Sequence, residues 1–311
     1  MNFLKESLCF LAIAAIVTTV APPAAAQAMN RVYGSVDVLQ RYAGVTRSYN
    51  NDRFDRYFPG TLSGGISDSF FHVYSAAGPG YAKTNTYAEY QKPSNNLGSA
   101  DDFTILDASG LAEFTLTDVV LSGAPGSLIT TSMNVHVTGF RDLVTIANPV
   151  TLTPSVFSAA TVAMAIVIND HNKNIGDGYN QLESINGGAP TMLGSGLLAA
   201  FDGDDVVTTG LFTVEANVPF RLTMRIESVS RAGFSGDSSG IAYAISDFGR
   251  TLTFASDRPV FNDLPVGTTA SSVSAGIVNN QFSGLVTVVP EANTLALLGL
   301  ALPIFGAVIL R

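Results

Sequence analysis

The chain has 311 residues and a formal net charge of −9, with 13% charged side chains and no tryptophan. This charge argues against a nucleic acid partner, because phosphate binding requires clustered lysine and arginine. About 260 residues remain between two terminal apolar segments, enough for a large buried core.

The N-terminal segment has the features of a secretory signal peptide. An apolar run, Leu8–Val20, is followed by two prolines and a stretch of alanines. Ala26 and Ala28 satisfy the small-residue rule for cleavage, so residues 1–28 are predicted to form a signal helix that signal peptidase removes. The alternative is a buried N-terminal helix. The single cysteine, Cys9, lies in this segment, so the exported domain is predicted to lack disulfide bonds.

Residues 29–288 are predicted to form one all-β domain, since apolar residues recur there with a period of two. In Leu111–Leu121 and Leu128–Phe140 apolar side chains alternate with polar ones, and the turn between them predicts an antiparallel hairpin. Ala160–Asn169 is nearly continuously apolar, as in a strand deep inside a sandwich. We expect ten or more strands in a two-sheet antiparallel sandwich with jelly-roll-like connections.

The segment Arg41–Gly60 combines four arginines with five aromatic residues. One interpretation is a surface that binds an acidic polysaccharide through aromatic stacking and arginine–carboxylate pairs, with Tyr49, Arg53 and Tyr57 as contacts. The other is an edge strand and loop whose aromatic side chains cover the rim of the sandwich.

No catalytic constellation is evident, and the chain is predicted not to be an enzyme. Residues 236–240 match the pattern G-x-S-x-G, in which Ser238 would be the nucleophile. That motif requires a helix after the serine and a histidine later in the chain, but a strand-like segment follows and the last histidine is His171. A glycine- and serine-rich turn between strands explains the pattern better.

No cofactor is expected, with calcium as the alternative. Asp170, Asn172, Asn174 and Asp177 place oxygen donors at the spacing of a calcium loop. Ile175 stands where such a loop has glycine, and the position of the final glutamate holds glutamine. The other interpretation is a solvated hairpin loop.

The C-terminal segment carries the most specific motif. Pro290, Glu291 and Ala292 precede an uncharged run, Leu295–Leu310, and Arg311 ends the chain. As a helix this run would be about 24 Å long, slightly shorter than a hydrocarbon core of about 30 Å.

These residues resemble the PEP-CTERM sorting signal, which an exosortase reads in bacteria that make extracellular polysaccharide. The resemblance implies that residues 289–311 are a sorting segment, anchored in the membrane before processing near Pro290 and Glu291. Two features depart from the pattern: Ala292 replaces a proline, and Arg311 alone replaces a basic cluster. A simple tail anchor is the alternative.

Together these observations predict an exported protein of the cell surface or extracellular matrix, structural or adhesive within exopolysaccharide or biofilm. The alternatives are a glycan-binding module and a tail-anchored surface protein. The expected partners are signal peptidase, an exosortase-like enzyme and the membrane, with polysaccharide as a further partner.

Overall fold

The computed structural model describes residues 29–42, 45–56, 60–66, 69–92, 103–147, 156–168, 173–236 and 239–284. These residues form eighteen strands. Their bounds are β1 Met29–Tyr42, β2 Val45–Arg56, β3 Gly60–Ile66, β4 Ser69–Gly78, β5 Tyr81–Lys92, β6 Phe103–Ser122, β7 Leu128–Thr131, β8 Asn134–Ala147, β9 Val156–Ile168, β10 Lys173–Ile185, β11 Thr191–Gly196, β12 Asp204–Thr208, β13 Phe212–Glu215, β14 Phe220–Ser235, β15 Gly240–Phe254, β16 Thr269–Ser271, β17 Ile277–Val278 and β18 Gln281–Phe282.

The fold is all-β, as the sequence predicts, with two large antiparallel sheets packed face to face. The larger sheet has the order β11-β10-β9-β14-β6-β1-β2, with β16 attached to β6. The smaller has six strands in the order β12-β8-β15-β5-β4-β3. Strand β6 packs on β4 and β5, β14 packs on β5 and β15, and β9 packs on β8 and β15. The two sheets are therefore stacked as a sandwich. No helix in the described part of the chain is long and apolar enough to span a membrane.

The predicted hairpin between residues 111–121 and 128–140 is wrong. Both segments are strands, but β6 lies in the eight-stranded sheet between β1 and β14, whereas β8 lies in the six-stranded sheet beside β15. The connecting chain crosses between the sheets, and β7 within it pairs with β13. Alternation of apolar residues specifies which face of a strand is buried, but it leaves the choice of neighbouring strand open.

One end of the sandwich is filled by phenylalanine rings. The ring of Phe254 on β15 meets Phe114 on β6 at 6.3 Å and Phe282 on β18 at 5.6 Å between centroids. Both contacts are edge-to-face, the arrangement that aromatic quadrupoles favour. The cluster therefore joins both sheets and the segment that follows β15.

Hydroxyl groups join the two sheets where β5 faces β14. Thr84 Oγ1 lies 2.8 Å from Ser228 Oγ, and Thr86 Oγ1 lies 2.9 Å from Ser230 Oγ. All four side chains are buried. These bonds join β5 to β14 across the interface between the sheets, and we call the group the hydroxyl seam. Such short side chains let the sheets approach closely, while each buried hydroxyl keeps a partner.

Candidate functional site

The outward surface of the six-stranded sheet gathers aromatic rings and carboxylates. Residues 69–75 of β4 and 81–88 of β5 alternate between the core and this surface, so Phe71 and Ala88 are buried while Phe70 and Tyr87 face outward. The neighbouring strand β15 contributes Tyr243 to the same side. We call this surface the aromatic face, defined by Phe70, Tyr87, Tyr243, Glu89 and Asp142.

The three rings form a row across three strands. Phe70 meets Tyr87 edge-to-face at 5.8 Å between ring centroids, and Tyr87 stacks on Tyr243 at 6.2 Å with an interplanar angle of 28°. The register explains the row, because Glu89 on β5 stands opposite Phe70 on one side and Tyr243 on the other. Tyr87 is diagonal to both. The Phe70 side chain retains 48% of its exposure, which leaves an apolar ring surface open to solvent.

Hydrogen bonds hold the polar groups of the aromatic face in place. The Tyr87 hydroxyl donates to Glu89 Oε2, and Gln91 Nε2 donates to Glu89 Oε1 at 2.5 Å. Asp142 on β8 is diagonal to Tyr243 in the register, and it is close enough to add to the effect of burial in raising the pKa of the Tyr243 phenol. Asp142 Oδ1 accepts from the Leu143 backbone N–H at 2.9 Å. Both carboxylates are thus oriented by neutral donors.

Among the residues that the structure describes, no basic side chain forms an ion pair with either of these carboxylates. The ion pairs that the structure shows among described residues involve Asp204, Glu227, Asp107 and Asp257, and neither Glu89 nor Asp142 takes part in one. Lys83 is on the same side of β5, where its Nζ lies 5.4 Å from the centre of the Tyr81 ring. Lys83 is four positions from Tyr87, about 13 Å along a strand.

This environment disfavours ionisation of the tyrosines. Burial raises the pKa of Tyr87 above its ordinary value of 10.0, and the hydrogen-bonded Glu89 carboxylate raises this pKa further. Burial also raises the pKa of Tyr243, and the nearby Asp142 charge acts in the same direction. A phenolate beside a carboxylate would meet like-charge repulsion. The phenols therefore remain neutral hydrogen-bond donors at physiological pH.

We expect Glu89→Gln to let Tyr87 ionise at a lower pH than in the native protein, because the repelling charge is gone while burial remains. The raised pKa of Tyr87 also makes stability depend on pH. Its contribution to the free energy of unfolding is fully present below about pH 10, where the unfolded phenol is neutral, and it is lost as the pH rises further. Tyrosinate absorbance during an alkaline titration measures the effect, undisturbed by tryptophan, which is absent. Glu215→Gln, at an exposed position on β13, is the control. Identical curves for the two variants would contradict the assignment.

A shallow groove adjoins the aromatic face where β8 and β15 meet β12. It encloses about 360 Å³ and is lined by Thr138, Gly139, Phe140, Gly203, Asp204 and Asp247. Phe140 is 50% exposed and stands opposite Asp247 in the register. His136 beside it is bonded to Asp204, with Nε2 2.5 Å from Oδ1. Phe140 and Asp247 thus place a further exposed ring beside a further carboxylate, next to the row of Phe70, Tyr87 and Tyr243.

On the outward surface of the eight-stranded sheet two arginines are paired with carboxylates. Arg231 forms a two-pronged ion pair with Asp107, with Nη2 2.6 Å from Oδ2 and Nε 3.0 Å from Oδ1. Arg225 pairs with Glu227 at 2.9 Å. A groove of about 400 Å³ passes over this surface, and Arg231 lines it. The guanidinium of Arg231 is thus already engaged by Asp107, while Phe157 and Glu183 also line the groove.

The polysaccharide contacts predicted from residues 41–60 remain a prediction. Tyr49 and Arg53 lie on β2, opposite Val38 and Ser35 of β1, and β2 stands at one end of the described strand order in the eight-stranded sheet. The structure describes only the backbone of this strand, and Tyr57 lies outside the described residues.

The predicted calcium loop is described only in its second half. Asn174 and Asp177 are exposed at the start of β10, while Asp170 and Asn172 lie outside the described residues. Asn174 Oδ1 accepts a hydrogen bond from the Gly176 backbone N–H at 3.0 Å. Ile175 is buried. In the part of the chain that is described, no three His, Cys, Asp or Glu side chains are arranged to hold a metal ion. Calcium binding stays untested.

The two predicted processing sites also fall outside the described residues. This concerns Ala26 and Ala28 at the signal cleavage site and Pro290, Glu291, Ala292 and Arg311 in the sorting segment. The same applies to Ser238 of the G-x-S-x-G string, whose neighbour Ser239 is buried at the entry to β15.

Comparison with known proteins yields no family. No family model matches the sequence, and no curated protein matches it. A solved structure described as "Structural basis for the promiscuous specificity of the carbohydrate-binding modules from the beta-sandwich super family" aligns with 76% of this chain and 95% of its own. The identity is 11% and the TM-score is 0.16. A likeness at this level supports no assignment, so the candidate site rests on its own geometry.

Proposed function

We propose that this chain is an exported protein of the cell surface or extracellular matrix that adheres to polysaccharide through the aromatic face, without catalysing a reaction. The observation that carries the proposal is the row of Phe70, Tyr87 and Tyr243 with oriented carboxylates beside it. The apolar faces of sugar rings stack on aromatic rings, and carboxylate and amide groups bind sugar hydroxyls.

The termini support the export part of this proposal. Residues 1–28 have the pattern of a signal peptide, and residues 289–311 resemble a PEP-CTERM tail. A chain with both features is expected to be a substrate for signal peptidase and an exosortase-like enzyme. In that case the tail holds the protein at the membrane until it is processed near Pro290 and Glu291. The sandwich then stands outside the cell, where exopolysaccharide is the abundant ligand.

We expect Tyr243→Ala to reduce retention of the protein on exopolysaccharide from the producing cells by about fivefold or more, because a stacking ring is lost. The protein is recovered from the envelope or medium of those cells, and retention is measured on the immobilised polymer.

Tyr179→Ala is the matched control, since Tyr179 is a 43% exposed tyrosine on the other sheet. A double variant, Tyr49→Ala with Arg53→Ala, tests the surface predicted at residues 41–60. Retention lost only in that double variant would contradict the aromatic face as the binding surface. A native protein that is found only in the cytoplasm, or that is not retained, would contradict the proposal as a whole.

A further inference from the structure

The charge of the aromatic face indicates which kind of glycan it binds. Glu89 and Asp142 lie beside the rings of Tyr87 and Tyr243, and both carboxylates accept hydrogen bonds from neutral donors: Glu89 from Tyr87 and Gln91, and Asp142 from the Leu143 backbone N–H. No ion pair among the described residues involves either carboxylate. A ligand that stacks on this row therefore lies near two carboxylates, Glu89 on β5 and Asp142 on β8, while His72 of β4 stands opposite Tyr87 in the register.

We propose that the aromatic face selects glycans that carry protonated amino groups, such as a hexosamine polymer that has lost part of its N-acetyl groups. This inference rests on the proposed function and specifies its ligand. A protonated amine gains in two ways here: it pairs with a carboxylate, and it is attracted to the negative faces of the tyrosine rings.

The same arrangement disfavours the opposite class of ligand. A polymer of uronic acids would place its carboxylates near Glu89 and Asp142, and the resulting like-charge contacts oppose binding. Lys83 of β5 lies over the Tyr81 ring, four positions along the strand from Tyr87. The net charge of −9 adds a weaker, long-range repulsion. We therefore expect the aromatic face to bind glycans with free amino groups most tightly, N-acetylated glycans less tightly and uronic acid polymers least tightly.

The test compares three soluble tetrasaccharides by calorimetry at pH 6 in buffer with salt: tetraglucosamine, its fully N-acetylated form and tetragalacturonate. We expect the amine form to bind about fivefold or more tightly than the N-acetylated form. Glu89→Gln should remove about fivefold of the affinity for tetraglucosamine and reduce the affinity for the N-acetylated form by a smaller factor, because glutamine removes the charge but keeps a hydrogen-bonding oxygen.

Glu215→Gln is the matched control, because it removes the same charge from an exposed position on β13, away from the aromatic face. If both variants lose equal affinity for tetraglucosamine, bulk attraction to an acidic protein explains the binding and the inference is overturned. If the N-acetylated form binds as tightly as the amine form, and Tyr243→Ala weakens both, the inference fails while the proposed function stands. If the N-acetylated form, tetraglucosamine and the matrix polymer all fail to bind, the inference and the proposed function fail together.

Discussion

Replacing Phe254 with alanine should lower the free energy of unfolding by about 3–5 kcal/mol. Its side chain is completely buried and touches Phe114 of the other sheet and Phe282 near the end of the described chain. Removing the ring leaves a cavity where three parts of the fold meet, and it removes two edge-to-face contacts. A loss of this size is a large fraction of the stability of an ordinary domain.

Chemical denaturation followed by circular dichroism measures this effect. Phe140→Ala is the matched control, because Phe140 is 50% exposed and its removal opens no internal cavity, so a cost below about 1 kcal/mol is expected. Equal costs for the two variants would show that the phenylalanine cluster does not hold the sheets together.

The second large effect is expected from Gly110→Ala in the middle of β6. A Cβ atom at this position would lie 2.4 Å from Thr84 Oγ1 and 3.0 Å from Ser75 Oγ. Both atoms belong to buried side chains of the opposite sheet. Either the sheets would have to move apart, or the hydrogen bond between Thr84 and Ser228 would have to break. We therefore expect the free energy of unfolding to fall by about 2–4 kcal/mol.

Gly123→Ala is the matched control for this substitution. Its Cβ would find neighbours no closer than 3.4 Å, which is ordinary contact, so the variant should be neutral or slightly more stable. Thr84→Ala should partly rescue Gly110→Ala, because it removes the clashing atom, and the double variant should therefore cost less than the sum of the single ones. Strictly additive losses in the double variant would argue against the close approach of the sheets at the hydroxyl seam.

Several strands could be predicted well from local patterns. Residues 160–168 lie in β9, where every second side chain is buried, and residues 111–121 lie in β6. The all-β class and the antiparallel sheets are confirmed by the structure. The jelly-roll-like connectivity stays a prediction. Alternation of apolar and polar residues along a strand indicates which of its two faces is buried. It depends only on neighbouring residues in the chain, so it can be read from the sequence.

The candidate site could not be predicted in the same way. Its rings come from positions 70, 87 and 243, which only the pairing of β4 with β5 and of β5 with β15 brings together. The sequence directed attention to residues 41–60 instead, where arginines and aromatic residues are neighbours along the chain. Taken singly, Tyr87 and Tyr243 look like ordinary outward-facing strand residues.

From the sequence alone follow the strand-forming pattern, the absence of cysteine after Cys9, the acidic charge and the two terminal segments that predict export and sorting. All of these are properties of composition or of short stretches of chain. The tertiary structure decided which strands are neighbours, that β6 and β8 lie in different sheets, and that one outward surface gathers the rings with Glu89 and Asp142. The physical reason is that strand pairing joins residues far apart in the chain, so it depends on how the whole set of strands packs around one core.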